Sequence, residues 1–335
     1  MDEVTVQPGV VTVAIPVYTR LQYLAGALRS VAAQDYPHIE LIVSDNGCND
    51  GKVEQLVRDN YEQPYRIRRT AGRIPITEHY NELVSEASGE YFLLLADDDE
   101  LVPGYLSALV AAFHRDATTS VGLAELEVID AKGQTVPRNL EGRSVPARLA
   151  GEDLVRMWCR GEYPFVCFTT FLARTADVRA LGGYPEFPRG TSVDNALLLK
   201  LALGRTVAFD TTVRFRYRVY ETSHGLSLPI GELARDLRLF LEFLDRDPAL
   251  TAAARASNGE WPELKQLLVR MTWKTYWLRW RKMYRARMET PAWIRAAFEM
   301  PWITEYYLAV ARVLVQSGMG AVKRRLIGSS KPIEV

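Results

Sequence analysis

Three consecutive carboxylates, Asp97, Asp98 and Asp99, follow directly on the apolar run Tyr91 to Leu95. Adjacent anions repel, so clustering them serves a fold only when a cation neutralises them. A strand that delivers carboxylates to its own C-terminal end can hold a hard divalent metal such as Mg²⁺ or Mn²⁺ against a phosphate. The alternative for such a run is a solvated acidic loop. Two other short segments have the same form, an apolar strand that breaks into polar residues: Val10 to Ile15 ends at Pro16-Val17-Tyr18, and Ile39 to Val43 ends at Ser44-Asp45.

The elements that must position these tips alternate in type. Leu21 to Ala33, Val53 to Asn60 and Ile76 to Ala87 have apolar residues at helical spacing, the last stopped by Ser88-Gly89. Tyr65 to Arg68 reads as a further strand, and Pro103 is expected to open the next helix, at a position where its missing N–H costs nothing. A β-α-β-α-β-α-β order predicts an α/β fold with a parallel sheet and helices on both faces. Ligands of such sheets bind outside the carboxyl ends of the strands, so the three polar tips converge on one crevice. Neither GxGxxG nor GxxxxGK[ST] occurs, so a bound diphosphate would be neutralised by metal and side chains rather than by a glycine loop.

The 335 residues suffice for one large domain or two medium ones, and 48% hydrophobic with 24% charged residues is a globular composition. A net charge of +0 conceals an asymmetry. From Trp261 to Val335 there are 14 Lys/Arg against 5 Asp/Glu, leaving 27 against 36 before them. Three cysteines (Cys48, Cys159, Cys167) without a CxxC argue against a disulfide framework or zinc site and suit a reducing, cytoplasmic setting. Met1 to Pro8 does not read as a signal peptide. The longest apolar stretch, Tyr306 to Val315, is interrupted by Arg312 and too short to span a bilayer.

Taken together, Val13-Ala14-Ile15-Pro16-Val17-Tyr18, Glu40 to Asp50, Asn81 with Ala87-Ser88-Gly89-Glu90-Tyr91, and the Asp triplet resemble the family-2 glycosyltransferases of the GT-A fold. The likeness is strong over residues 10–115 and weaker to about residue 225. It implies a GT-A domain over residues 1–225, followed by a helical, basic, aromatic-rich region over 226–335. It also implies transfer of a sugar from a nucleotide-sugar donor, UDP-linked by expectation, to a hydroxyl of a glycan, lipid-linked or small-molecule acceptor. By the same resemblance Pro16 and Tyr18 lie against the base, Asp45 accepts its ring N–H, Asp97 contacts the ribose and Arg73 reaches the phosphates. Asp98 binds the metal, supported by Asp99 and His224, and Asp194 is the catalytic base of an inverting displacement. Gly182-Gly183-Tyr184 matches the family's loop near the donor sugar. Two positions depart from the pattern, Ala96 and Val193, where the family usually has Asp and Glu. They motivate a rival reading, a non-catalytic relative that binds glycan or scaffolds a complex. A sugar nucleotidyltransferase would need a glycine-rich basic loop after the first strand, and Val17-Tyr18-Thr19-Arg20 is not one.

The C-terminal region is expected to be helical over Gly231 to Asp247, Pro262 to Arg287 and Ile303 to Ile327. Trp273, Tyr276, Trp277, Trp280 and Tyr284 share one helical face. A packed or homodimeric helical subdomain is the first reading. Peripheral contact with the inner face of a membrane is the second. Nucleic acid is not an expected partner, since no recognition module accompanies the charge.

Overall fold

The computed structural model describes residues 5–47, 50–137, 145–162, 171–220 and 228–285, with only the backbone of residues 230 and 277–285. Two compact units divide the chain, Met1–Leu228 with Asp236–Val269, and Pro229–Arg235 with Arg270–Val335.

The first unit is built on one sheet of nine strands among the described residues. They are β1 (Gln7–Val17), β2 (Ile39–Asp45), β3 (Tyr65–Arg69), β4 (Gly89–Leu94), β5 (Glu100–Leu101), β6 (Thr119–Ile129), β7 (Arg148–Ala150), β8 (Leu172–Arg174) and β9 (Thr206–Arg218). The order is β3-β2-β1-β4-β8-β6-β9-β5, with β7 beside β9. The expected parallel pairing holds for β3-β2-β1-β4 and again for β6 with β9. Elsewhere the sheet departs from expectation, because β8, β5 and β7 run antiparallel to their neighbours. These are two- and three-residue strands, too short to carry a periodic signal in sequence.

Helices α1 (Leu21–Ala32), α2 (Lys52–Asn60) and α4 (Tyr105–Arg115) cover one face. Leu24, Leu28, Val53, Val57, Leu106 and Leu109 pack there on Val11, Val13, Ile15, Leu41, Val43 and Leu93. Helices α3 (Ile76–Glu86), α5 (Gly151–Arg160), α6 (Thr175–Ala180) and α7 (Val193–Ala202) complete the α/β part. Both residue parities of the central strands are buried, from Val13 and Ala14 to Leu93 and Leu94. That explains why these strands read as continuous apolar runs. Helix α4 begins at Tyr105, two residues beyond Pro103, because Gly104 at φ +82° turns the chain in between.

Three more helices follow: α8 (Ile230–Arg246), α9 (Pro248–Arg255) and α10 (Trp261–Arg285). Residues 236–269 belong to the unit that contains the sheet. Phe240 and Phe243 of α8 meet Phe187 edge-on, and Arg156 of α5 pairs with Glu260. The second unit's described part is the start of α8 and the rest of α10. No described helix is long and apolar enough to cross a membrane. The expected helix Ile303 to Ile327 lies outside the described residues.

Candidate active site

The order β2-β1-β4 places a topological switch between β1 and β4, with β2 and β3 on one side of β1 and β4 on the other. The crevice beyond such a switch is where open α/β sheets bind ligands. All three polar tips lie at it. Val17 pairs in register with Asp45, so Tyr18 follows beside Asn46. Leu95 donates to the Ala14 carbonyl, and the Tyr18 N–H points to Asp97 Oδ2 at 3.5 Å.

On the β2 side, Asp45 is completely buried and pairs with Arg69 at 3.3 Å. Asn46 then ties down the loop after β3. Its amide accepts from the Ile74 N–H and donates to the Ile74 carbonyl, both at 3.0 Å. Gly47 makes this approach possible. At φ +75° it lies so close to Gly72 that a Cβ would come within 2.5 Å of the Gly72 carbonyl carbon. The held loop sets Arg73 over the half-exposed Tyr18 ring, 4.5 Å from its centroid. Tyr18 and Arg73, forecast as base and phosphate contacts, thus meet as one cation–π pair at the mouth. Pro16 is inside β1, level with Ser44. One residue before Asp45, the Ser44 hydroxyl shares a 2.7 Å hydrogen bond with buried His79 of α3. Burial, with Arg68 nearby, lowers its pKa to about 4, so the ring is neutral.

On the β4 side the repulsion among the three carboxylates is resolved by giving each a different environment. The Asp99 carboxylate accepts from the Arg218 N–H at 2.8 Å, which engages it with β9. Burial, with Asp98 adjacent, raises its pKa well above the ordinary aspartate value and so favours the protonated form. Asp97 is raised to about 7 by burial, against the pull of Arg20. Arg20 reaches Asp98 at 2.7 Å and Asp97 at 3.4 Å. Burial works against its charge, but the two carboxylates outweigh it and hold the guanidinium protonated. Tyr220 donates to Asp98 Oδ2 at 2.7 Å and accepts from Arg20 at the same distance. Asp98 is the most exposed of the three, at 7% against 2% and 1%. Among the described residues its side-chain contacts all go to Oδ2, which leaves Oδ1 available there. The donor set is hard oxygen, which fits Mg²⁺ or Mn²⁺. No group of three His, Cys, Asp or Glu side chains suited to a metal occurs among the described residues. His224 lies outside them.

Asp194 is in the first turn of α7, half-buried. The turn before it, Arg189 to Ser192, packs against the start of α3, since a Cβ on Gly190 would collide with Ile76 at 2.6 Å. Ile76 follows the Arg73–Ile74 loop that Asn46 holds, so Asp194 is connected through contacts to the β2 tip. The expected sugar loop is fastened twice. Asn81 accepts from the Tyr184 N–H and donates to its carbonyl, both at 2.8 Å. Buried Lys200 of α7 donates to the carbonyls of Leu181 and Gly183.

With this geometry in place, the family model described as "Glycosyl transferase family 2" matches residues 12–181, from β1 through the Asp triplet to α6. The chain belongs to glycosyl transferase family 2. A curated relative supports the assignment over most of the chain. The GalNAc(5)-diNAcBac-PP-undecaprenol beta-1,3-glucosyltransferase of Campylobacter jejuni is 34% identical over 254 residues, covering 74% of this chain and 76% of that protein. Abequosyltransferase RfbV of Salmonella typhimurium is 32% identical over 103 residues, 30% of this chain and 31% of its own. Among solved structures, S. aureus TarS 1–349 in complex with UDP-GlcNAc superposes with a TM-score of 0.59 at 17% identity. That match covers 86% of this chain and 79% of TarS 1–349, and it shows a shared GT-A fold.

Three residues of this glycosyltransferase's site carried no assigned role in the sequence, Arg20, Arg69 and Tyr220, while Tyr217-Arg218 belongs to a stretch that resembles the family's pattern. Arg218 donates to the Asp98 carbonyl and pairs with Glu100, while its guanidinium stacks on Tyr23 at 4.8 Å. Arg20 carried a usable signal, since a cation two residues beyond a strand tip can neutralise a neighbouring tip's carboxylates. Tyr220 had none, because 122 residues separate it from Asp98.

Proposed function

We propose that this enzyme takes its sugar from a UDP-linked donor, binds it with Mg²⁺ or Mn²⁺, and passes it with inversion to a hydroxyl of a lipid-linked glycan. The observation that carries this reading is the cluster at the β1/β4 switch: Asp98, Asp97, and the Arg20 and Tyr220 donors that surround them. Tyr18 supplies a flat face for the base, and Asp45, at the neighbouring β2 tip, serves as acceptor. Asp98, with Asp97 behind it, would hold the metal. When bound, the metal supplies charge stabilisation for the nucleoside diphosphate leaving group. Arg20 orients both carboxylates and offers a cation to the same diphosphate. Arg73, on the Tyr18 ring, is a second cation at the mouth. Asp194 accepts the proton of the attacking hydroxyl, a contribution of about 10²–10⁴ in rate.

The acceptor class is suggested by the Campylobacter relative, whose name specifies an undecaprenol-linked glycan. A peripheral position at a membrane, with exposed Lys274 and half-buried Trp273 on α10, suits an acceptor anchored in lipid. The test is calorimetry of UDP with and without Mn²⁺, alongside a panel of nucleotide sugars screened by thermal shift. Metal-dependent UDP binding that Asp98→Asn abolishes is the expected result. Equal metal-dependent affinity in wild type and Asp98→Asn would reject the metal role.

A further inference from the structure

The turn that leads into α7 has unusual backbone geometry. Gly190 is at φ +71° and Ser192 at φ +66°, the latter a left-handed conformation that L side chains rarely take. Left-handed residues interleaved with ordinary ones aim successive N–H groups in one direction and form a small anion-binding concavity. Here the anion is internal. The carboxylate of Asp236, on α8, accepts from the Thr191 N–H at 2.9 Å and from the Arg189 N–H at 3.1 Å. Asp236 is completely buried. A buried carboxylate is costly unless hydrogen bonds compensate it, and bonds from N–H groups to a charged oxygen are the stronger kind. Phe187, one side of this turn, is also gripped by Phe240 and Phe243 of α8. Asp194 lies two residues beyond Ser192, so its place is set by how this turn is held.

We infer that Asp236 is a positioning residue for the transfer reaction, fixing the Arg189–Ser192 turn and thereby the reach of Asp194 toward the acceptor. This rests on the reading of Asp194 as base. The α8 helix, which lies outside the residues the family model matches, thus completes the catalytic half of the site. A shift of about 1 Å in a catalytic group can cost roughly 10²-fold in rate without weakening substrate binding.

The test compares Asp236→Asn, Asp236→Leu, Asp194→Asn and the Asp194→Asn/Asp236→Leu double variant. Turnover is read as UDP released from UDP-glucose or UDP-N-acetylglucosamine, whichever the wild type uses. Affinity is read with UDP and Mn²⁺, and amide hydrogen exchange is followed across residues 187–196. Asp236→Leu should lower kcat by about 10²-fold and Asp236→Asn, which keeps one acceptor oxygen, by about tenfold, both with unchanged KM and UDP affinity. Exchange at 189–191 should rise in both, and the double variant should be no slower than Asp194→Asn alone. Should Asp236→Leu fail to fold, the Asn variant decides alone. Additive losses, parallel loss of UDP affinity, or unchanged exchange with a kcat within twofold of wild type would overturn the inference. Asp194→Asn turning over at the wild-type rate overturns the base assignment and this inference with it. An inactive Asp194→Asn beside unimpaired Asp236 variants overturns this inference alone.

Discussion

At the residue scale, Arg20 connects the carboxylates to one another. Its guanidinium pairs with both Asp97 and Asp98, and removing it takes away their cation, leaving the Tyr220 hydroxyl and the Tyr18 N–H as their donors among the described residues. Arg20→Met is expected to destabilise the metal-free protein by about 2 kcal/mol, in the range of hydrogen bonds to charged groups. Mn²⁺ should then raise the melting temperature of Arg20→Met more than that of wild type, because the ion takes over the missing positive charge. Equal Mn²⁺ shifts in the two proteins would count against a shared site. Asp194→Asn should leave metal-dependent UDP affinity unchanged and lower transfer by about 10²–10⁴. His79 supplies a pH prediction. Its folded pKa is about 4 against an ordinary 6.5, so between those values the unfolded chain binds more protons. Stability therefore rises with pH across that window and is lost as pH falls through it, by up to about 1.4 kcal/mol per pH unit. Denaturant titrations of wild type and His79→Gln from pH 7 to 4 should diverge with this sign.

At the element scale, the central strands and the helices α1, α2 and α3 were legible because each has the pattern its burial demands. Strands β1, β2 and β4 are covered on both faces and read as unbroken apolar runs; the helices are covered on one side and read as stripes. Their ends are set by local chemistry, such as the turn at Gly104 that displaces the start of α4 from Pro103. The loop between β2 and α2 depends on Gly47 in the same way. Gly47→Ala would strain a φ of +75° and press a methyl group onto the Gly72 backbone. We expect a loss of about 1–3 kcal/mol in stability together with weaker UDP binding, since the loop bearing Arg73 must move. Unchanged UDP affinity in a folded Gly47→Ala protein would show that the loop does not shape the nucleotide site.

At the scale of the whole molecule, residues 236–269 join the sheet-bearing unit. Nothing in the composition marks this, because the contacts are a few specific ones: Asp236 on the turn before α7, the Phe187 cluster, and Arg156 with Glu260. Truncation after residue 228 is expected to yield an unstable or insoluble product and truncation after 269 a folded one that binds UDP, as checked by circular dichroism and calorimetry. Equal stability of the two products would place α8 and α9 outside the folding unit.

The sequence alone was enough to determine the α/β class, the GT-A family and the tips on which Tyr18, Asp45 and Asp98 stand. Periodicity and motif spacing are local properties, and a strand's end brings its polar residues with it. The tertiary structure alone decided which carboxylates are pushed toward their protonated form, which cation pairs with Asp97 and Asp98, and which distant carboxylate holds the turn before Asp194. Those outcomes depend on burial and on partners scores of residues away in the chain. Solvent exclusion and charge pairing exist only once the sheet has brought the strands together.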